Sequence, residues 1–401
     1  MTDSHLILRL ATPTESRYIR DQNAASWAGD LPVETYHKRE HVLASTALTR
    51  DGGIECWVLI DPSKPSEVLT SCETIKKPAY LSRPPDNGDK ICNVVEVYAH
   101  GLGSVYTPEC QRKKGYCQEM LRLIKEHMMK ENPEGFNVLY SDIGKQFYAK
   151  HGWLPHRSSH LQFPSVGPVP ESTMTGITPL VRASIPALCA QDIALVKSHL
   201  LTPPSHKKSR IAFIPDYNTM DWHWTREEFI APVLRAHMNE APEIKGAITK
   251  DGKRWVLWNR DFATKSSQLY IIRYVDLSKQ PRESRESSAL SQSPRSSLSS
   301  GSESSNSDNS DSESEQEDQE EQEQLSALLT AAAMEAKKWG LAKVTMWNPD
   351  KACVKAAQKA FGNEVKMVDR EMDSIASVMM HKEGSDEESI EWVANEKYAW
   401  C

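Results

Sequence analysis

Long apolar runs are missing from this chain. No 18-residue stretch could span a bilayer and no apolar segment leads the sequence, so a soluble, cytoplasmic protein with no membrane contact is expected. The eight cysteines (56, 72, 92, 110, 117, 189, 353 and 401) include no CxxC pair. That scatter argues against structural zinc and against a disulfide framework, leaving reduced thiols and no bound metal as the expectation. A basic face is missing too. The net charge of −7 hides an acidic segment: residues 281–325 hold twelve Asp/Glu and three Arg, a charge of −9, so the remainder carries +2. A near-neutral folded part argues against a nucleic-acid partner. Composition says nothing about oligomeric state.

At 401 residues the chain is too long for one ordinary core, which predicts two domains. Residues 6–10 read as a strand. Thr12-Pro-Thr-Glu15 is a capping box with Pro at the first helical position, opening a helix to about Ala28. A second helix is expected over 33–48, strands over 54–60, 67–74 and 93–106, and a helix over 115–130 stopped by Asn132-Pro133. A strand at 136–140, a helix at 144–150 and a strand from Gly152 complete the first domain, 1–162. The three prolines of 163–176 mark a connector. In 177–401, strands are expected at 211–214, 254–258, 268–274 and 343–346, and helices at 222–237, 325–339 and 351–361. Residues 281–323, rich in Ser, Glu and Gln, cannot bury enough apolar surface to offset ordering entropy, so a disordered insertion is expected there.

Arg112-Lys-Lys-Gly-Tyr-Cys117 lies between an apolar strand and a long helix. A Gly-containing turn at a helix N-terminus presents unpaired N–H groups and the positive end of the helix dipole, which suits a pyrophosphate. Some 25 residues on runs Leu139-Tyr-Ser-Asp-Ile-Gly-Lys-Gln-Phe-Tyr-Ala-Lys-His-Gly-Trp153. Together the two segments resemble the GNAT acetyltransferase superfamily. Arg112, Gly115 and Cys117 match its acetyl-CoA loop, with Cys117 in place of the usual Gly/Ala. Tyr148, four residues before Gly152, matches its later segment, with Ser141 where many members carry Asn. The resemblance implies an α/β (α+β) GNAT fold around a mixed, mostly antiparallel sheet. Ser71-Cys-Glu-Thr74, Val105-Tyr-Thr-Pro108, Met220-Asp-Trp-His223 with Arg226-Glu-Glu-Phe229, and Asn395-Glu-Lys-Tyr-Ala-Trp-Cys401 extend it to the fungal lysine N-acetyltransferases of lysine catabolism. The second half then reads as a degenerate GNAT-like module that shapes the substrate site, since no second Gly-containing pyrophosphate loop is present.

What the resemblance implies is acetyl transfer from acetyl-CoA to the side-chain amine of free L-lysine. Val105, Tyr106 and Thr107 would contact the carbonyl and pantetheine arm, and Arg112, Lys113, Lys114, Gly115, Tyr116 and Cys117 the pyrophosphate. Ser141 would meet the cofactor through its hydroxyl. Tyr148 is the expected general acid for the departing thiolate, a phenol near pKa ~10 being close to a thiol. Glu73 is the first candidate base or amine anchor, followed by Glu96 and His100. The last two share a face of the fourth strand with Ser104 while that strand stays regular. Trp27 is a candidate wall of the acceptor pocket. A protein acetyltransferase and a non-catalytic acetyl-CoA-binding scaffold are the alternatives.

Overall fold

The computed structural model describes residues 5–84, 91–203, 208–263, 267–279, 308–382 and 390–400. The first half follows the expected order: β1 (Ile7–Leu10), α1 (Pro13–Trp27), α2 (Val33–Ala44), β2 (Ile54–Ile60), β3 (Val68–Arg83), β4 (Asn93–Tyr106), α3 (Tyr116–Glu131), β5 (Phe136–Ser141), α4 (Gln146–Ala149) and β6 (Leu154–Pro155). The Thr12 capping box forms as the sequence predicts, with Glu15 reaching back to the Thr12 N–H. β3 runs well past the expected end at Thr74. Pro78 lies inside it, where pairing with β2 has stopped at Ile75 and pairing with β9 (Ser209–Phe213) starts at Ala79. A missing N–H is tolerated at such a handover.

The second half adds β7 (Ser159–Pro164), β8 (Ile177–Val181), α5 (Ile185–Leu201), β9, α6 (Tyr217–Leu234), β10 (Ile244–Thr249), β11 (Arg254–Asp261) and β12 (Gln268–Asp276). It continues with α7 (Asp308–Lys338), β13 (Lys343–Trp347), α8 (Lys351–Phe361), β14 (Lys366–Asp369), β15 (Ile375–Met380) and β16 (Ile390–Trp392). Residues 281–307 of the Ser- and Glu-rich segment lie outside the described residues, and 308–323 form the first turns of α7.

Two mixed, mostly antiparallel sheets result. The first has the order β1-β2-β3-β4-β5-β15-β6, with β9 and β16 continuing beside the far end of β3; the second has the order β14-β7-β13-β12-β11-β10-β8. The halves exchange strands. β7 leaves the first half to pair with β13 and β14, while β15 returns to pair with β5 along six residues. The expected boundary at 162 and the expected connector from 163 therefore fall within a paired strand. The core is shared as well: Ala24, Ala28, Leu31 and Tyr36 of the α1–α2 corner pack with Ile230, Trp258 and Phe262 of the second half. Among the described residues no helix is long and apolar enough to cross a membrane.

Candidate active site

The site is built where β4 and β5 part. These strands are parallel neighbours only at His100–Asn137, Gly101–Val138 and Leu102–Leu139; beyond that point no pairing joins them. On its other edge β4 carries a bulge, since Ser71 faces Tyr106 and Glu73 faces Gly103. Ser104 and Val105 thus stand opposite Cys72 alone, and Ser104 takes a left-handed φ of 50°. A bulge beside a split pair re-aims backbone and side chains into the opening.

A cavity of about 260 Å³ occupies the opening. Trp27, Arg39 and Glu40 of the α1–α2 region, Glu73 of β3, the bulge residues Ser104 and Val105, and Tyr148 of α4 line it, and Trp222, Arg226 and Trp400 close it from the second half. Trp27 meets the Tyr106 ring edge-on at 6.0 Å. Burial raises the Glu73 carboxyl above its ordinary range; Glu40 raises it further, against an opposing hydrogen bond from Ser104. Burial likewise raises the Tyr148 phenol, and the Cys117 and Cys72 thiols nearby add to the effect. Tyr148 therefore stays a neutral proton donor throughout the physiological range.

Arg39 is engaged: its Nε donates to Glu40 at 2.7 Å and its Nη2 to the Trp27 carbonyl at 3.2 Å. Asp142, also on the lining, accepts the Ser374 N–H at 2.9 Å. Arg226, one turn after Trp222 on α6, has no hydrogen-bond or ion-pair partner among the described residues. Burial pushes its pKa down, and so does neighbouring Arg39, while Asp261 and Glu40 oppose. Arg226, Arg39, Glu40 and Trp400 received no role from sequence reasoning. An Arg or Glu on a surface-like helix pattern carries no mark of the cavity it faces.

A second cavity, of about 240 Å³, lies at the N-terminus of α3, lined by Thr107, Gln111, Arg112, Lys113, Gly115, Tyr116, Cys117, Gln118 and Phe147. Gly115 is the N-cap at φ 85° and supplies no side-chain cap, so the first N–H groups of α3 face the cavity without helical partners. A Cβ at Gly115 would meet nothing within 4 Å. The residues present suit a pyrophosphate: open backbone donors, the helix dipole and nearby cations. Phe147 and Tyr148 are adjacent on α4, and each lines one cavity, making α4 the wall between them. Trp153, fully buried, anchors that wall through its backbone N–H, which donates to the Tyr148 carbonyl at 3.1 Å.

Four expected site residues are placed elsewhere. Ser141 is buried, its hydroxyl donating to the Gly144 carbonyl at 2.7 Å and accepting the Ile143 N–H at 3.2 Å, so it shapes the turn into α4 instead of meeting a cofactor. Lys114 is not on the lining of the second cavity, and its ammonium donates to Gln111 at the edge of it at 2.9 Å. Glu96 is exposed opposite Tyr80 and lines neither cavity. His100 is buried beside Glu131 at 3.3 Å, and burial pushes its pKa down to about 4. The reason is parity: His100 pairs with Lys76 and Leu102 with Thr74, on the face covered by α3, whereas Glu73 lies on the opposite face. The bulge turns Ser104 toward Glu73 and leaves His100 and Glu96 behind.

In the second half β12 and β13 are again parallel over Gln268–Ile271 and Lys343–Met346 only, with a register shift toward β11 close by. There the opening is a cavity of about 580 Å³ with Arg273, Tyr274, Met346, Asn348 and Glu396 on its lining, and Glu396 is tied to its wall. The Glu396 carboxylate accepts the Tyr274 N–H at 2.9 Å and pairs with Arg273, which also holds Asp192. Burial raises Glu396 to about 7 against the pull of Arg273. The same tail continues to Trp400 at the first cavity, where Lys77 binds the Ala399 and Trp400 carbonyls at 3.0 and 3.2 Å.

A split β4–β5 pair, a bulged β4 and an open helix N-terminus define a GNAT-type acetyltransferase class of fold and site. Residues 160–401 match the family model described as LYC1 GNAT-like C-terminal domain, and the chain belongs to that family. It is 21% identical over 308 residues to a lysine acetyltransferase of Yarrowia lipolytica, covering 66% of this chain and 74% of that one. It is 28% identical over 191 residues to an uncharacterized Saccharomyces cerevisiae protein, covering 40% of this chain and 46% of that one, so the match spans less than half of the yeast relative. Among solved structures, a GCN5-related N-acetyltransferase from Kribbella flavida superposes with a TM-score of 0.47 at 11% identity, covering 95% of this chain and 73% of that one.

Replacing Gly115 by Ala tests the loop. A left-handed φ costs an L-residue about 1–2 kcal/mol, so acetyl-CoA affinity is expected to fall about 5- to 30-fold in calorimetric titration. An unchanged affinity would mean that the Gly115 conformation does not matter to binding.

Proposed function

We propose that this protein transfers acetyl from acetyl-CoA directly to the N6 amine of free L-lysine, the opening step of lysine breakdown. The observation that carries the reading is the wall formed by α4. It separates an anion-suited helix N-terminus from the first cavity, whose lining holds Tyr148 together with Glu73 and the β4 bulge. Acetyl-CoA would lie across that wall, its pyrophosphate at the N-terminus of α3 and its thioester at Val105.

The residues divide the work. Backbone N–H groups of the bulge polarise the carbonyl, one such donor being worth ~3 kcal/mol in the transition state. Glu73, raised by burial, takes the proton that the ammonium must lose, directly or through water. Tyr148 returns a proton to the departing thiolate. The Trp27, Trp222 and Trp400 side chains exclude water from the attacking amine.

The free-amine reading is favoured over a protein substrate because Trp222, Arg226 and Trp400 roof the pocket, whereas a peptide needs an open groove. The name of the Yarrowia relative supports lysine among small amines. Release of coenzyme A thiol from acetyl-CoA, measured with L-lysine, ornithine and a lysine-rich peptide in parallel, tests it. Turnover with lysine, yielding N6-acetyllysine by mass spectrometry, is the expected result. Turnover with the peptide alone would replace this reading by protein acetylation, and silence with all three despite acetyl-CoA binding would leave a scaffold.

A further inference from the structure

Charged groups on the acceptor pocket are unequally engaged. Glu40 is held by Arg39, Arg39 by Glu40 and the Trp27 carbonyl, Asp142 by the Ser374 N–H, and Glu73 by Ser104. Arg226 alone among the lining cations lacks a hydrogen-bond or ion-pair partner among the described residues, although it is half-buried on a lining that also holds Trp222 and the α1–α2 residues Trp27, Arg39 and Glu40. Asp261 and Glu40 act on this guanidinium through space and make no direct bond to it, whereas a planar carboxylate satisfies its fork of donors bidentately. The opposite requirement holds toward β3, where Glu73 and Glu40 suit an amine.

We infer that Arg226 binds the α-carboxylate of the acceptor, so the second module selects amino acids over simple amines by presenting this one side chain from α6. The inference rests on the free-amine reading above and assigns a residue and a chemical class to it: a diamine that carries a carboxylate. It also gives the degenerate module a task that requires no second cofactor. A site built around a charged partner rejects the analogue lacking that partner far more strongly than a pocket rejects one methylene, because the buried group is left unpaired.

The test is the ratio of kcat/KM for L-lysine to that for 1,5-diaminopentane, the same molecule without its carboxylate. Each ratio is taken on a single protein sample, so any loss of folded fraction cancels. The expected ratio for the natural protein is about 100 or more. Arg226→Gln should collapse it at least tenfold, chiefly through the KM for lysine, and Arg226→Lys, which keeps the charge but not the fork, should fall between. A natural ratio near one, or an Arg226→Gln ratio equal to the natural one, would overturn the assignment while leaving free-amine acetylation standing. Turnover of a lysine peptide alone by the natural protein would overturn the free-amine reading and the assignment with it.

Discussion

Tyr148→Phe is expected to lower kcat/KM for acetyl transfer about 100- to 1000-fold while acetyl-CoA still binds. The substitution removes one hydroxyl and keeps the ring that packs edge-on against Phe147 at 5.1 Å. What is lost is proton delivery to the thiolate, and a positioned general acid contributes about 10²–10⁴-fold. The phenol is raised by burial, so it remains a donor well into alkaline pH. Glu73 is raised as well, and a raised carboxyl becomes a base only at a pH above the ordinary carboxylate range. The acidic limb of kcat/KM should therefore sit above pH ~4.3 and disappear in Glu73→Gln. Steady-state rates across pH, with calorimetric binding of acetyl-CoA as the control, check both statements. A Tyr148→Phe rate within threefold of the natural one would return Tyr148 to the role of a core aromatic.

Glu227→Ala is expected to cost about 3–5 kcal/mol of unfolding free energy, the largest stability effect predicted for this chain. Glu227, Lys245 and Arg260 have fully buried side chains. The carboxylate accepts Lys245 at 2.7 Å and the Arg260 guanidinium at 2.9 Å on one oxygen, and the Arg260 backbone N–H at 2.5 Å on the other. Removing it takes one carboxylate from each of two buried cations and leaves a main-chain donor without its acceptor. Arg260 keeps Glu335, and Lys245 keeps Glu228 at 2.8 Å, so the loss stays within that range and does not exceed it. Because α6 carries Trp222, Arg226 and Glu227 in one run, the same variant should also raise the KM for the acceptor. Urea unfolding monitored by tryptophan fluorescence measures the first effect. A loss under 1 kcal/mol would show that the neighbouring carboxylates suffice.

The two predictions differ in how far the sequence foretold them. Tyr148 was legible because its spacing to Gly152 and the Gly115 loop are local patterns that a short motif contains. Glu227 sits in the quoted Arg226-Glu-Glu-Phe229 run, yet nothing there separates the buried Glu227 from the half-exposed Glu228. Its partners come from β10 and β11, 18 and 33 residues away. Glu73 was singled out through the Ser71-Cys-Glu-Thr74 run, and it lies on the lining of the first cavity. Glu96 and His100 share a face with Ser104 only while β4 stays regular, and the bulge at Ser104–Val105 breaks that parity. A single extra residue at Ser104–Val105 changes which side chains share the opening, and no composition or period reports a bulge.

The sequence by itself determined the order of elements in the first half, the Thr12 capping box, the loop that suits a pyrophosphate, and the place of Tyr148 on α4. All of these depend on residues within a few positions of one another, where capping, turn chemistry and periodicity act. Tertiary structure alone decided that β7 and β15 change places between the sheets and that the tail from Glu396 to Trp400 lines one opening at Glu396 and the other at Trp400. It also decided that Arg226 reaches a pocket made mostly by the first half. Those outcomes come from contacts between segments more than a hundred residues apart. They are selected by shared burial and charge pairing across the whole chain, and local propensity is blind to both.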